Sequence, residues 1–438
     1  MFDQELNIND QGYDFTCGTD IIRTLSENYP EKFGESWFCG ILSHTLDQGD
    51  EVEKWRELAE EHTINLKFFM PISKKNLIDP ADLFDALYRT LINTFCVEMK
   101  ETAANAYQSS WDTAFERIAN IDPIEFEHAI VFSSSKEGAS EFDTLSRIYS
   151  IIHKDAVKKK FLADASTKEF IKLAARVRKG ADVSRAATED RKPGLSKLRK
   201  EEVFESPEII NSFHEPLRNG DVFELKHQDD TKLFILLAQP CDLMVRSNGE
   251  RVREQFFKVA VLAPIKTIGA DEVVRAGLGF ELPNFLESEN DRLMVKFSDA
   301  VVANLTVLDL CVTNRSGTCK ITPGSLGEDI IIPNGAWRKR VPKIDTSFKK
   351  HVAKIENART NNGKNGDRAA SELAAAVTPS IAMSTKFDKY GTYDQDSKSF
   401  VYSAKRIGNV RPPLSASVLS AFSSYVSRDA FGHDFASN

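Results

Sequence analysis

The sequence WFCGILSHTLDQGDEVEKWRELAEEHTINLKFFMPISKKN, residues 37–76, decides the fold of the first part of the chain. Its two apolar runs, WFCGILSHT and LKFFMPISKKN, have the length and composition of buried strands, and the amphipathic segment between them predicts a helix. Polar residues close both runs: Ser43 or Thr45 follows the first, and Lys74 or Lys75 follows the second. This alternation predicts an α/β module.

Further predicted elements extend the module on both sides. Asp3 closes a very short strand, and residues 19–28 predict a helix. Asp79 and Pro80 mark the start of a long helix, because a carboxylate caps free N–H groups and proline needs no donor at the first helical position. We expect this helix to reach about residue 107. Its apolar stripe consists of Leu83, Leu87, Leu91 and Phe95.

The order of Asp3, Thr45 and Lys74 resembles the second half of a response-regulator receiver domain, the phospho-aspartate switch of two-component signalling. The resemblance covers residues 1–108. It implies that Asp3 is phosphoacceptor-like and that Thr45 and Lys74 respond to its charge. The first strand, first helix and second strand of a receiver have no counterpart in the sequence, and neither does the acidic pair that holds Mg²⁺.

We therefore expect a degenerate or N-terminally truncated receiver-like module that binds a protein. No Mg²⁺ is expected at Asp3, and phosphorylation by the standard route is not expected. The predicted partner-binding residues lie on the long helix: Leu83, Leu87, Tyr88 and Leu91.

Three further regions follow the receiver-like module. Residues 109–205 have helical periodicity and predict a helical connector. Residues 206–345 contain short extended runs and predict a small β-barrel. Residues 346–438 predict C-terminal helices with a hairpin between them. The predicted fold class is a multidomain α/β plus β protein with a partial receiver-like α/β sandwich.

The predicted barrel opens with GDVFEL and continues into FILLAQPCDLMVRSNGER. This pattern resembles the start of the SH3-like barrels of PemK-type toxins, which cut RNA. The resemblance implies an effector in which Asp242 is an acid and Arg246 binds phosphate; the alternative interpretation is a plain salt bridge at a strand end. Cys241 is a candidate nucleophile that requires a base to lower its pKa.

Two more groups of residues are candidates for a site: basic residues around the last helix for a polar cleft, and the cysteines for zinc. We expect four basic side chains to cover a polar cleft beside the barrel: Arg406, Arg411, Arg428 and His433. A zinc site is not expected, because the spacing in CVTNRSGTC is too long for a zinc knuckle. The candidate zinc ligands are Cys241, Cys311, Cys319 and His433. No cofactor is predicted.

Charge and hydropathy narrow the classes of partner. The net charge is −8, but residues 151–200 contain 15 Lys and Arg against 6 Asp and Glu, so nucleic acid is a candidate partner of this stretch. No apolar run has the length of a membrane span, and no signal peptide is evident. Six cysteines without a CxxC pair are typical of a reducing compartment. We predict a cytoplasmic protein that makes no membrane contact.

The order of the four regions resembles receiver-like proteins of bacterial anti-phage or conflict operons, which are encoded beside a histidine-kinase-like ATPase. The resemblance implies a protein partner of that kind, and a second copy of the chain is the other candidate. The sequence thus predicts a non-enzymatic signalling or scaffold subunit. The alternative is an effector that cleaves or binds nucleic acid with a PemK-like barrel, using Asp242 and Arg246.

Overall fold

The computed structural model describes residues 1–4, 17–33, 36–47, 50–163, 165–181, 193–227, 230–252, 259–269, 278–283, 292–325, 332, 334–381 and 391–427. The chain divides into two compact units, and each is described by itself. Unit 1 contains Met1–Ile121 and Arg147–Pro193, and unit 2 contains Asp122–Ser146 and Gly194–Asn438. The predicted connector, 109–205, therefore contributes to both units.

The helices are α1 (Gly18–Asn28), α2 (Glu51–Glu61), α3 (Pro80–Ala119), α4 (Pro123–Phe126), α5 (Ser133–Glu137), α6 (Glu141–Ala163), α7 (Ala165–Ala181), α8 (Pro193–Val203), α9 (Pro207–Ser212), α10 (Pro240–Leu243), α11 (Leu305–Leu308), α12 (Gly335–Asn361), α13 (Gly366–Val377) and α14 (Leu414–Val426). The strands are β1 (Phe2–Asp3), β2 (Cys39–Ser43), β3 (Phe69–Ser73), β4 (Phe204–Glu205), β5 (Asp221–His227), β6 (Asp230–Leu237), β7 (Val259–Ile268), β8 (Gly279–Leu282), β9 (Arg292–Lys296), β10 (Val301–Asn304), β11 (Thr318–Ile321), β12 (Gly391–Asp394) and β13 (Ser399–Val410).

Unit 1 is built on a parallel sheet with the order β1-β2-β3. The register pairs Asp3 with Leu42 and Ser43 with Ser73, so the strands end close to the same level. All residues of β3 are buried, as expected for a parallel strand that is covered on both faces. The core is formed by Ile22, Ile41, Trp55, Leu58, Phe69 and Ile72. The predicted α/β alternation is present in this unit.

The long helix α3 follows β3 and packs against both the sheet and α7. It continues to Ala119, beyond the predicted end near residue 107. Arg176 on α7 lies over the ring of Phe95, with its guanidinium carbon 5.3 Å from the ring centroid. Such a cation–π contact favours a fixed pairing of the two helices.

Unit 2 is built on a large antiparallel sheet. The hydrogen-bonded order is β11-β13-β5-β6-β7-β9-β8, with β10 on β7 and with β4 and β12 on β13. The hairpin of β12 and β13 lies where the sequence predicts an extended pair. Among the described residues, no pairing joins β11 to β8, so the predicted β-barrel is wrong: the sheet is not closed.

Two apolar cores on opposite faces of the sheet explain why it is open and not a closed barrel. Along β6, Phe234 and Leu236 belong to one core, and Ile235 and Leu237 belong to the other. The first core includes Trp337, Ile344, Phe348 and Ile355 of α12, and the second includes Val418 of α14. A strand covered on both faces needs a continuous apolar run. The run KLFILLA satisfies that need, because helices cover both faces of the strand.

A buried ion cluster ties three distant segments of unit 2 together. Asp309 is fully buried and accepts hydrogen bonds from Arg251 at 2.6 and 2.8 Å and from Arg340 of α12 at 2.8 Å. Arg251 also donates to the carbonyl oxygen of Leu243, and Arg340 donates to that of Gly249. Burial alone raises the pKa of Asp309, but the two guanidinium groups outweigh it, so the pKa lies below its usual value.

Replacement of Asp309 tests the importance of this cluster. We expect Asp309→Asn to lower the free energy of unfolding by about 3–5 kcal/mol, because two buried arginines lose their counter-charge. Since the folded pKa is lowered, the ionised carboxylate stabilises the fold at neutral pH, and this stabilisation is lost as the pH falls. Urea unfolding at neutral pH and at about pH 2–3, below the usual pKa of an aspartate, measures both effects.

The matched control is Glu281→Gln, which removes one charge from a solvent-exposed ion pair with Arg292 at 2.6 Å. An exposed pair is worth about 0–1 kcal/mol, so this variant should unfold close to the wild type. Equal losses in both variants would contradict a special role for the buried cluster.

Candidate functional site

The parallel strands of unit 1 bring Asp3 and Lys74 together, as the sequence predicts. Asp3 ends β1, and Lys74 follows β3 directly. The ammonium nitrogen of Lys74 donates to a carboxylate oxygen of Asp3 at 2.7 Å and lies 3.2 Å from Nδ1 of His44. The side chains are 41% and 28% exposed for Asp3 and Lys74 respectively, so water reaches this strand-end pair.

Thr45, the third receiver-like residue, is held by its own loop. Its hydroxyl oxygen lies 2.9 Å from that of Ser43, and its backbone N–H donates to the same Ser43 oxygen at 3.2 Å. Within the described part of the chain, no hydrogen bond joins Thr45 to Asp3. Ser73 donates to the carbonyl oxygen of Leu46 at 2.7 Å and fixes this loop to β3. Lys75, the alternative to Lys74, pairs with Asp47.

The first turns of α3 place apolar side chains in solvent. Phe84, Leu87 and Leu91 are 64%, 47% and 41% exposed. They are separated by three and four residues and therefore lie on one side of the helix. We call these three residues the α3 apolar surface. The other two predicted partner-binding residues, Leu83 and Tyr88, are half-buried.

The QPCDL segment of unit 2 does not bring its suggested catalytic pair together. Cys241 and Asp242 are exposed on the short helix α10. Arg246 instead donates to a carboxylate oxygen of Glu137 at 2.9 Å and to its carbonyl oxygen at 3.3 Å. No ion pair joins Asp242 to Arg246 in the ranges that the structure covers. The alternative of a salt bridge between these two residues is likewise not present there.

A cavity of about 490 Å³ lies within unit 2, behind the QPCDL segment. Its lining is mainly apolar and comes from segments that are far apart in sequence. The lining residues are Gly138, Ala139, Ser140, Asp143, Glu215, Pro216, Leu217, Arg218, Asn219, Pro240, Leu243, Met244, Val245, Asn334, Asn409, Pro412, Ser415 and Ala416.

An arginine surrounded by carboxylates forms the polar part of the cavity wall and its surroundings. Arg218 donates to Glu205 and lies 2.8 Å from a carboxylate oxygen of Glu215, and Arg411 lies 3.8 Å from Glu205. We call Asp143, Glu205 and Glu215 the carboxylate cluster. The pKa of Glu215 is raised, chiefly because burial disfavours its charge; Glu205 and Asp143 add to the rise, and Arg218 opposes it. Desolvation also raises the pKa of Asp143, although that side chain is exposed at the cavity rim.

Arg406, predicted to cover a polar cleft, is instead completely buried below the cavity wall. It donates to Asn211 and to the carbonyl oxygen of Glu215, both at 2.9 Å, and lies 3.4 Å from Asp221. Arg406 therefore positions the backbone that carries Glu215. Arg411 lies beside the carboxylate cluster. The other two cleft candidates, Arg428 and His433, lie outside the described residues.

The sequence interpretation missed two groups of polar residues. The carboxylate cluster joins positions 143, 205 and 215, and no local pattern connects them. In unit 1, Cys17, Asp20 and His62 place one ligand-type atom each within 4.8 Å of one another. Cys17 donates to Asp20 at 3.3 Å, and His62 lies 3.7 Å from Asp20, so Asp20 already contacts both of the other side chains. Cys311 and Cys319, two of the candidate zinc ligands, are buried in the apolar core.

Comparison with protein-family models, with curated proteins and with solved structures gives no match. Across the described residues, none of the helices combines the length and the apolar character needed to cross a membrane. Function is therefore inferred from the geometry of the strand-end pair, the α3 apolar surface and the cavity.

The raised pKa of Glu215 predicts a specific pH dependence. A raised folded pKa means that the carboxyl group favours folding at acid pH and that this contribution is lost as the pH rises. We expect Glu215→Gln, which cannot ionise, to gain thermal stability relative to the wild type between about pH 4 and pH 7. Melting temperatures of both proteins across this range measure the gain.

The control for this experiment is again Glu281→Gln. A hydrogen bond from Arg292 lowers the pKa of Glu281, so its replacement should change relative stability in the opposite direction as the pH rises. A flat difference between Glu215→Gln and the wild type would contradict the raised pKa.

Proposed function

We propose that the protein is a signalling or scaffold subunit that works by binding a protein partner through the α3 apolar surface. The observation that carries this proposal is the exposure of Phe84, Leu87 and Leu91 on one side of α3. Exposed apolar side chains grouped in this way are typical of protein-binding surfaces. The receiver resemblance suggests the class of partner, a histidine-kinase-like ATPase of a bacterial two-component-like or anti-phage system, acting in the cytoplasm.

The inner side of α3 supports the proposal, because polar groups hold the helix to β3 and to the turn that precedes it. Asn93 donates to the carbonyl oxygens of Leu66 and Phe69 at 3.0 and 2.8 Å, and Thr94 donates to that of Lys67 at 2.6 Å. An ordinary surface helix turns its apolar side inward. Here directed hydrogen bonds anchor part of the helix and leave apolar side chains outside.

The strand-end pair is connected to this surface by a short segment. Lys74 begins a 3₁₀ turn, Lys74–Leu77, and α3 starts at Pro80. Water reaches this part-buried ion pair, so a new charge or a bound partner can compete with the contact between Asp3 and Lys74. We propose that such a change shifts the start of α3 and with it the α3 apolar surface.

A nucleic-acid effector is the second candidate function. Exposed lysines on α6, Lys154, Lys158 and Lys159, support binding to a phosphate backbone. Cleavage by Asp242 and Arg246 gains no support, because the sheet is open and Arg246 pairs with Glu137. Loss of nuclease activity or toxicity in Asp242→Ala and Arg246→Ala variants would favour this function over partner binding.

Charge placed on the α3 apolar surface tests the preferred function. We expect the double variant Leu87→Asp and Leu91→Asp to weaken partner binding at least about tenfold, because buried apolar anchors dominate interface affinity. The full chain is co-expressed with a histidine-kinase-like ATPase, the class of partner that the receiver resemblance suggests. Affinity is measured by calorimetry, and light scattering reports self-association.

Val52→Asp is the matched control, since Val52 of α2 is 48% exposed and Leu87 is 47% exposed. It should bind like the wild type. Equal binding by all three proteins, or a monomeric wild type that binds no ATPase, would reject the proposal.

A further inference from the structure

We propose that the cavity of unit 2 is a binding site for a small organic cation with an apolar body, such as an arylalkyl amine. This site is separate from the α3 apolar surface and does not depend on the proposed partner binding. Its volume of about 490 Å³ is in the range of ligand pockets. The site combines a shaped apolar space with a carboxylate at its rim.

The cavity wall is held in place by specific contacts. Gly138 has a φ of 76°, and a Cβ at this position would collide with the carbonyl oxygen of Val245. Asn334 donates to the carbonyl oxygen of Gly138 at 2.9 Å, and Asn219 donates to that of Ser415 at 2.8 Å. These contacts join the segments that line the cavity, so the space is preformed.

The lining away from the carboxylates is suited to an apolar group. Leu217, Leu243 and Val245 line the cavity and are almost completely buried. The nearby amides of Asn219, Asn334 and Asn409 are all engaged in hydrogen bonds with the protein. A ligand therefore meets a mostly apolar wall, and burial of its hydrocarbon body is the main source of affinity.

The charge of the polar end favours a cation. Glu205 and Glu215 already share Arg218, and Arg411 adds a second positive charge near Glu205. Asp143 has no ion pair within 4.0 Å among the described residues. When all of these groups are ionised, the three carboxylates of the carboxylate cluster outnumber the two arginines, Arg218 and Arg411, by one charge. A ligand ammonium at the rim can pair with Asp143 and donate to it.

The experiment uses the full chain and three probes with the same phenylpropyl body: 3-phenylpropylamine, 3-phenylpropan-1-ol and 3-phenylpropanoate. Ligand-observed NMR titrations give the affinities. We expect the amine to bind with a Kd of about 1 mM, since a ligand of this size has limited binding energy. The alcohol should bind at least about tenfold more weakly, and the carboxylate should bind weakest.

Two variants locate the bound amine. Asp143→Asn should weaken binding of the amine at least about tenfold and leave the alcohol unchanged, whereas Asp242→Asn, an exposed carboxylate outside the cavity, should change neither. Ala416→Phe should obstruct the cavity and weaken binding of both probes. Ser417→Phe, the adjacent exposed position outside the lining, should retain binding.

The positions chosen for substitution are exposed, so the variants should fold, and circular dichroism confirms this. Three outcomes overturn the proposal: preference for the carboxylate over the amine, no binding of the amine at about 10 mM, or amine binding that Ala416→Phe leaves unchanged. The last outcome would place the amine elsewhere on the protein.

Discussion

The buried contact between Arg406 and Asp221 is the constraint on which much of unit 2 depends. Both side chains are completely inaccessible to solvent, and their charged groups lie 3.4 Å apart. A buried charge is tolerated only when partners satisfy it. Arg406 on β13 therefore needs Asp221 on β5, Asn211 on α9 and the carbonyl oxygen of Glu215 at the same time. Satisfying one guanidinium group brings together the central strands and one wall of the cavity.

The functional candidates of the two units arise from different physical features. In unit 1, α3 is held partly by hydrogen bonds from Asn93 and Thr94, and this leaves Leu87 and Leu91 exposed. In unit 2, apolar cores cover both faces of the sheet, and the cavity lies beside them. An exposed apolar surface suits a macromolecular partner, whereas a concave cavity suits a small molecule. The proposed activities of the two units can therefore be tested separately.

Local patterns predicted part of the fold and part of the candidate site. The alternating runs of residues 37–76 correspond to β2, α2 and β3, because strand and helix periods differ clearly in sequence. The predicted barrel failed because an apolar run such as KLFILLA shows that a strand is buried, and does not show what covers it. The contact of Asp3 with Lys74 was predictable, since parallel strands end at one edge. The carboxylate cluster was not, because its members are brought together by folding over long sequence distances.

By itself, the sequence determined the alternation of β2, α2 and β3, the long helix α3 and which residues end the first three strands, because these features depend on neighbouring residues and their periodicity. The run NLTVLDLCVTN, whose composition favours a strand, is instead helical over residues 305–313. Tertiary structure alone decided that the large sheet stays open between two helical layers, that Arg406 is buried, and that Leu87 is exposed. Those outcomes depend on packing between segments far apart in the chain. Burial, ion pairing and cavity formation are properties of that packing, and no local pattern encodes them.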